Sequence, residues 1–198
     1  MMKPSQLIAS GVIFSGGEPT AQKEPLLCLA RAAKEMGFSV GIHTNGVFPG
    51  TIRALLDEGL LDKVALDIKT RWEQYNNLLK GTCRENVQES LKLLKTAYAS
   101  GTLQEFEVVV TLFPGCEDVV PAISRDAGAG VTLVLQQGVY GSIPPLAFGD
   151  LKSIADRLGR RVKIRTREDG EVIYDNNQIR IADSIVLNDI RQARRNRE

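Results

Sequence analysis

Two patterns of apolar and polar residues alternate along the chain. Short runs rich in β-branched residues predict β-strands, and stretches in which apolar residues recur every three or four positions predict amphipathic helices. The predicted strands cover residues 12–14, 39–42, 63–68, 105–112, 131–135 and 161–164. Because strands that alternate with helices are typical of parallel sheets, the chain is predicted to fold as one α/β domain, either an open doubly wound sheet or a full or partial barrel.

The predicted helices each present an apolar face and end in the same way. In the first helix, Leu26, Leu29, Ala33 and Met36 are predicted to form the buried face, and Cys28 is predicted to be a small buried residue beside it. A glycine directly past a helix is the expected left-handed terminator. Such glycines follow four predicted helices: Gly37, Gly59, Gly101 and Gly159.

Composition and charge narrow the class of protein. The 198 residues include 25 lysines and arginines and 24 aspartates and glutamates, which gives a net charge of +1. This balance argues against nucleic acid or a charged membrane surface as the partner. No apolar run approaches the length needed to cross a bilayer, so we expect a cytoplasmic protein. Residues 180–198 are interpreted as a basic tail, either solvated or used to dock a partner.

Polar residues directly follow most of the predicted strands. They occupy residues 15–18, 43–46, 67–69, 114–117 and 136–138. In both candidate folds the carboxyl ends of parallel strands meet at one edge, so these residues are predicted to converge on one cleft. Gly16 and Gly17 would let the backbone approach a ligand closely, and the following helix would direct N–H groups toward an anionic group. Neither common nucleotide-binding glycine motif is present.

Three segments, in this order, carry a resemblance to a known family: GVIFSGGEPTAQ, GIHTNGVFP and DKVALDIKTRWEQYNNLLKG. They resemble the radical S-adenosylmethionine (SAM) superfamily, and within it the activating enzymes of glycyl-radical enzymes, of the type that activates anaerobic ribonucleoside-triphosphate reductase. The resemblance extends from about Gly11 to Thr166. It implies a partial (β/α) barrel in which SAM and an electron give methionine and a 5′-deoxyadenosyl radical, which removes a hydrogen from a glycine of the partner enzyme.

The same resemblance implies which residues bind SAM. The glycines and the acid of the GGEP motif would receive the amino group of its methionine moiety, and Lys69 would reach its carboxylate. The full implied set is Gly16, Gly17, Glu18, Pro19, Thr44, Asn45, Asp67 and Lys69. Without the resemblance, Asp67 and Lys69 are interpreted as a solvated ion pair. His43 stands where family members often carry an acid and is interpreted as a structural, hydrogen-bonded group.

Enzymes of this superfamily hold a 4Fe-4S cluster through a C-x-x-x-C-x-x-C motif that precedes GGEP. The chain has no such triplet, and Cys28, Cys83 and Cys116 are interpreted as thiols, the last two in loops after strands. We therefore expect the first β-α unit to be missing, no metal site in this chain, and no cleavage of SAM by it. The strand at residues 12–14 would be an exposed edge, which favours a homodimer or a missing partner.

Three accounts remain open from the sequence. In the first, the chain begins at an internal methionine of a complete activating enzyme. In the second, it is a shortened, non-catalytic relative that binds SAM, a related nucleoside or a protein partner. In the third, it is another α/β enzyme in which Lys69 performs carbonyl chemistry with Asp67 as acid or base. SAM binding would support the first two accounts, whereas trapping of a carbonyl substrate on Lys69 would support the third.

Overall fold

Eight strands form one sheet in which each strand pairs with the next one in the sequence. The computed structural model describes residues 10–78, 83–175 and 178–181. Strands β1 to β6 are parallel, and β7 and β8 extend the sheet as antiparallel strands. Their bounds are β1 Gly11–Phe14, β2 Ser39–Thr44, β3 Lys63–Asp67, β4 Glu105–Leu112, β5 Thr132–Gln137, β6 Val162–Thr166, β7 Gly170–Asp175 and β8 Gln178–Ile181.

Six α-helices connect the strands in the described residues. They are α1 Lys23–Glu35, α2 Pro49–Asp57, α3 Trp72–Leu78, α4 Cys83–Ala99, α5 Val120–Ala127 and α6 Phe148–Leu158. The alternation confirms the predicted α/β fold, a partial (β/α) barrel, and all six predicted strands are present. Helices α3 and α5 and the β7–β8 hairpin were not predicted. Both helices are short, seven and eight residues, and so give little periodic signal.

The two faces of the sheet have different compositions. The face under the helices is apolar, and residues such as Ile42, Leu66 and Val108 on it are fully buried. The opposite face, which we call the inner face, alternates with it along each strand. It contains a small apolar cluster of Ala65 and Val109 with Val134. Charged and polar side chains surround that cluster, so the inner face is the polar side of the sheet.

The glycine terminators were predicted correctly, but the buried face of α1 was not. Gly37, Gly59, Gly101 and Gly159 all have positive φ, between 61° and 82°. In α1 the buried residues are Leu26, Leu27, Ala30 and Ala33. This face is rotated from the predicted one, so Leu29 and Met36 are exposed, and Cys28 points away from the core and is exposed as well. The prediction that Cys28 is buried is therefore wrong.

Two further sequence predictions have a structural outcome. Cys83 is the first residue of α4, so its placement in a loop after a strand is wrong, because α3 and the start of α4 follow β3. The basic tail at residues 180–198 lies outside the described residues, except that Arg180 and Ile181 belong to β8. Within the described part of the chain, no helix combines the length and apolar character that crossing a bilayer requires.

Candidate functional site

The loop between β1 and α1 begins with two glycines in the left-handed region of backbone conformation. Gly16 has a φ of 90° and Gly17 a φ of 55°. Residues with a Cβ rarely adopt these angles. A Cβ built on either glycine would meet no heavy atom within 4 Å. The backbone therefore requires glycine for its conformation, while the space above it is open to a ligand.

The carboxylate of Glu18 joins this loop to the loop after β2. Glu18 caps the short 3-10 turn Pro19–Ala21, because its Oε1 accepts a hydrogen bond from Thr20 N at 3.1 Å. The same oxygen accepts from Thr44 Oγ1 at 2.7 Å, and Oε2 accepts from Asn45 N at 2.7 Å. Thr20 and Thr44 are both buried. Glu18 thus holds two loops together at neighbouring strand ends.

Helix α4 holds the loop after β2 from the other side. Ser90 Oγ donates to Gly46 O at 2.6 Å, and Asn86 Nδ2 donates to Val47 O at 3.0 Å. Gly46 has a φ of 75°, and a Cβ at this position would lie only 2.7 Å from Leu66 Cδ1. A side chain at residue 46 would therefore be both strained and crowded. The loop after β2 is fixed before any ligand binds.

Asp67 and Lys69 form an ion pair at the end of β3. Lys69 Nζ donates to Asp67 Oδ2, and the two side chains are 40% and 30% exposed, respectively. This is the ion pair interpreted from the sequence without the resemblance. Asp67 Oδ1 is buried and accepts no hydrogen bond from any described residue. The pair therefore combines an accessible ammonium group with an acceptor oxygen that has no donor.

The predicted site residues come together as two bonded groups. Glu18 bonds to Thr44 and Asn45, whereas Asp67 and Lys69 bond to each other. We call residues 15–20, 43–47 and 67–71 together the rim loops. They lie at the carboxyl ends of β1, β2 and β3, which are neighbouring parallel strands, so three of the five predicted polar segments share one edge of the sheet, while their convergence on one cleft stays a prediction. The SAM-binding roles of the eight residues stay predictions.

Four charged side chains form a second constellation, on the inner face of β4, β6 and β7. Lys163 Nζ lies 2.5 Å from Glu107 Oε1 and 3.1 Å from Glu171 Oε1. Arg165 Nη2 lies 2.5 Å from Glu171 Oε2 and 3.5 Å from Glu107 Oε2. The side chain of Glu107 is only 5% exposed. We call these four residues the inner-face network; their charges sum to zero, so the network is internally compensated.

Burial and charge act in opposite directions on the pKa values in this network. Burial favours neutral Lys163, but hydrogen bonds and charge from Glu107 and Glu171 outweigh it and raise the lysine pKa. Burial favours protonated Glu171, but Arg165 and Lys163 outweigh it and lower the glutamate pKa. His43 is exposed on the same face, and its pKa is lowered by partial burial and by the positive charge of Arg165. All three pKa shifts are typical of partly buried side chains that lie next to other charged groups.

Sequence reasoning missed the inner-face network, although one signal was available. Glu107 stands between Phe106 and three valines in β4, and an acid buried there requires a partner. Arg165 Nη1 also donates to Gln136 Oε1 at 3.1 Å, and Gln136 Nε2 donates to Thr111 Oγ1 at 3.3 Å. The polar contacts thus continue from the network to the carboxyl-terminal ends of β4 and β5.

The family model for the radical SAM superfamily matches residues 5–118, which include β1 to β4 and all the rim loops. The chain belongs to this superfamily. The match ends before Lys163, Arg165 and Glu171. The described part of the superfamily domain therefore contains the glycine loop and the Asp67–Lys69 pair, while three members of the inner-face network lie outside the matched residues.

Two curated relatives match shorter stretches of the chain. A Methanocaldococcus jannaschii protein, described as a candidate glycyl-radical enzyme activating enzyme, is 46% identical over 90 residues, which are 45% of this chain and 37% of that protein. The 7-carboxy-7-deazaguanine synthase of Thermococcus kodakarensis is 36% identical over 88 residues, which are 44% of this chain and 34% of the synthase. The chain thus spans about a third of the length of the curated relatives it matches.

Two solved structures share the fold. The crystal structure of archaeal TYW1 has a TM-score of 0.61 and 18% identity, covering 85% of this chain and 58% of that one. A domain of pyruvate-formate lyase-activating enzyme from Bacteroides vulgatus has a TM-score of 0.59 and 13% identity, covering 80% of this chain and all of that one. At these identities the likeness shows the fold alone.

The rim loops fit SAM, but the described residues do not fit an iron-sulfur cluster. The methionine moiety of SAM carries an ammonium and a carboxylate, which suit the partly exposed carboxylate of Asp67 and the ammonium of Lys69, a group with three donors. Among the described residues no three histidines, cysteines, aspartates or glutamates are arranged to hold a metal. Cys28, Cys83 and Cys116 lie on α1, at the start of α4 and after β4.

Proposed function

We propose that this chain is the SAM-binding part of a radical SAM activating enzyme, cytoplasmic in location, whose partner is a glycyl-radical enzyme. The type proposed is the activating protein of anaerobic ribonucleoside-triphosphate reductase. The observation that carries the proposal is the partly exposed Asp67–Lys69 ion pair, at the sheet edge that also carries the tied loops of Gly16, Gly17 and Glu18. The glycyl-radical activating relative from M. jannaschii supports the same reaction class.

Each side chain of the rim loops has a distinct task in this proposal. The ammonium group of the ligand binds to the partly exposed carboxylate of Asp67 and to the open backbone at Gly16 and Gly17, and Lys69 Nζ donates to the ligand carboxylate. The carboxylate of Glu18 already accepts several hydrogen bonds within the protein, so it holds the loops in place and leaves little capacity for the ligand. Binding thus uses groups that are preorganised.

When bound, SAM supplies a sulfonium whose reductive cleavage gives an adenosyl radical. The 198 residues contain no C-x-x-x-C-x-x-C motif. We therefore propose that this chain by itself binds and orients SAM without cleaving it. A non-catalytic SAM-binding relative, the second account from the sequence, would show the same binding. The activating enzyme and the non-catalytic relative differ in whether a cluster-bearing segment belongs to the natural protein.

Calorimetric titration with SAM tests the binding proposal. We expect Lys69→Met to weaken SAM binding about tenfold, equivalent to about 1.4 kcal/mol, because the ligand carboxylate loses its cation. Lys63→Met is the matched control, since Lys63 begins β3, the strand that leads to Lys69, and is also ion-paired, with Glu105 at 2.7 Å. Its SAM affinity should stay within about twofold of the unsubstituted chain.

Two results would overturn the proposal. If the unsubstituted chain has no affinity for SAM, the rim loops are not a SAM site. If anaerobic treatment with iron and sulfide gives a stable visible absorption that cysteine substitutions remove, the chain alone holds a cluster and the proposed lack of cleavage is wrong. Substituting Cys28 or Cys116 should leave SAM binding unchanged, because neither residue lies in the rim loops.

The free edge of β1 is proposed to pair with a second copy of the chain. Among the described residues β1 pairs only with β2, and Ile13 on this strand is 51% exposed. An unpaired strand edge with an exposed apolar side chain favours edge-to-edge association. Sedimentation velocity at micromolar concentration should show a dimer that Ile13→Lys dissociates. A chain that sediments as a monomer would contradict this proposal.

A further inference from the structure

Successive backbone amides fix the segment that carries Lys69. Ile68 N donates to Val109 O at 2.9 Å, which extends the β3–β4 pairing by one residue. Lys69 N is the next amide, and it donates to the side-chain oxygen of Tyr75 at 3.2 Å. The chain thus leaves the sheet at Lys69, and the first amide beyond the sheet is held by a tyrosine.

Tyr75 is itself rigidly placed. It lies on α3, is fully buried, and its ring centroid is 5.3 Å from that of Trp72. Trp72 in turn donates from Nε1 to Asp126 Oδ2 at 2.6 Å, which connects α3 to α5. Burial raises the pKa of Tyr75 to about 12, the hydrogen bond from Lys69 opposes this rise, and the charge of Asp67 adds to it. Tyr75 is therefore an uncharged phenol at neutral pH.

Two other contacts hold this loop. Thr70 Oγ1 donates to Gln74 Oε1 at 2.7 Å within the loop and the start of α3. Arg71 donates from Nη2 to Asp118 O at 2.9 Å, in a contact that is exposed. Tyr75 is fully buried, and its hydroxyl contacts the residue whose ammonium group pairs with Asp67.

We infer that Tyr75 is a positioning residue that holds Lys69 for ligands bearing an α-amino-acid carboxylate. By fixing the Lys69 backbone, the phenol oxygen keeps Nζ beside Asp67 at the edge of the sheet, so no ordering of the loop has to accompany binding. The site thereby distinguishes an amino-acid-bearing nucleoside from the same nucleoside without the amino acid. This inference rests on the proposed SAM site and adds to it the residue that sets this selectivity.

The test compares two ligands in Tyr75→Phe, which removes one oxygen and keeps the ring. SAM contains the carboxylate, whereas 5′-methylthioadenosine keeps the nucleoside and lacks it. We expect SAM binding to weaken about three- to fivefold and methylthioadenosine binding to stay within about twofold. A merely structural role would change both affinities together or neither. Tyr98→Phe is the matched control, since the ring of Tyr98 packs on Phe106 away from the rim loops.

A double-mutant cycle with Lys69→Met shows whether Tyr75 acts through Lys69. Once Lys69 is replaced, Tyr75→Phe should cause no further loss of SAM affinity. Additive losses, or an unchanged ratio of SAM to methylthioadenosine affinity in Tyr75→Phe, would overturn this inference while leaving the proposed function in place. No SAM binding by the unsubstituted chain would overturn both.

A measurement on the unsubstituted chain keeps the inference testable if Tyr75→Phe does not fold. The Lys69 amide should exchange its hydrogen slowly, because it is bonded to a buried acceptor. Exchange at the rate of exposed loop amides would show that Tyr75 does not hold Lys69, and the inference would then be wrong.

Discussion

The rim loops and the inner-face network occupy the same sheet but are stabilised differently. In the rim loops, a partly exposed carboxylate, Glu18, accepts hydrogen bonds from backbone amides and hydroxyl groups. In the network, two acids and two bases compensate one another around Glu107, which is nearly inaccessible to solvent. The rim loops expose backbone and one ion pair to solvent, whereas each charge of the network is paired with an opposite charge within the network. We therefore propose that the rim loops bind the ligand and that the network stabilises the sheet.

The largest expected effect is on the network side of this comparison. Glu107→Gln should lower the free energy of unfolding by about 3 kcal/mol, because it leaves two partly buried cations with one carboxylate. For a chain of this size that corresponds to a fall of about 9 °C in Tm, measured by circular dichroism. SAM affinity should stay within about twofold, because the ion pairs of Glu107 are with Lys163 and Arg165, which lie outside the rim loops.

Glu105→Gln is the matched control for Glu107→Gln. Glu105 lies two residues earlier on β4, also on the inner face, but its side chain is 60% exposed and it pairs with Lys63. We expect a loss below about 0.5 kcal/mol. Equal losses of unfolding free energy in the two variants would show that the burial of Glu107 does not strengthen its ion pairs. A large loss of SAM affinity in Glu107→Gln would contradict the proposal that the network and the rim loops have separate roles.

The second-largest expected effect is on the rim loops. Glu18→Gln should cost about 2 kcal/mol of stability, because an amide NH₂ replaces an acceptor that faces donors from Thr20, Thr44 and Asn45. It should also weaken SAM binding about tenfold, since both loops lose their connection. Thermal melting and calorimetry on the same variant measure the two effects.

Glu24→Gln serves as the control for Glu18→Gln because Glu24 is exposed in the first turn of α1. It should change stability by less than about 0.5 kcal/mol and leave SAM binding unaltered. If Glu18→Gln loses stability but keeps full SAM affinity, Glu18 only stabilises the fold. The rim loops would then not differ from the network in this respect.

The smallest effect is a pH dependence of the network. The pKa of Glu171 is lowered from its ordinary value of 4.5, so this group stabilises the fold above that pH and loses its contribution as the pH falls through the lower, folded-state pKa. Glu171→Gln should therefore be less stable than the unsubstituted chain by about 1 kcal/mol at pH 7. The difference should shrink below about pH 4.5. Urea denaturation at several pH values measures it; a constant difference down to pH 3.5 would contradict the assignment.

Local patterns predicted much of the fold and part of the site. The six parallel strands and the glycine terminators follow from residue periodicity and from the φ angles that only glycine readily adopts. The loop that contains Gly16 and Gly17 was predicted because two successive glycines indicate a backbone conformation that other residues rarely adopt. The burial of Cys28 was wrongly predicted. Periodicity shows that α1 has an apolar face, but packing against the sheet decides the rotation of the helix and therefore which residues are buried.

Contacts between distant residues could not be predicted in the same way. Lys163 and Glu107 are 56 residues apart and meet because the register from β4 through β5 to β6 places them on one face. The contact of Tyr75 with Lys69 spans only six residues, yet it depends on α3, a helix too short to be recognised from its pattern. Register and helix docking are properties of the assembled sheet.

The sequence alone determined that strands alternate with helices and that glycine-rich, polar loops follow the first strands, because backbone sterics and apolar periodicity act over a few residues. Only the tertiary structure decided that Glu18 spans two loops, that one oxygen of Asp67 has no donor among the described residues, and that Glu107 has two cations within reach. The physical reason is that hydrogen bonds and ion pairs require atoms within about 3 to 4 Å, and strand register and helix packing bring distant residues that close.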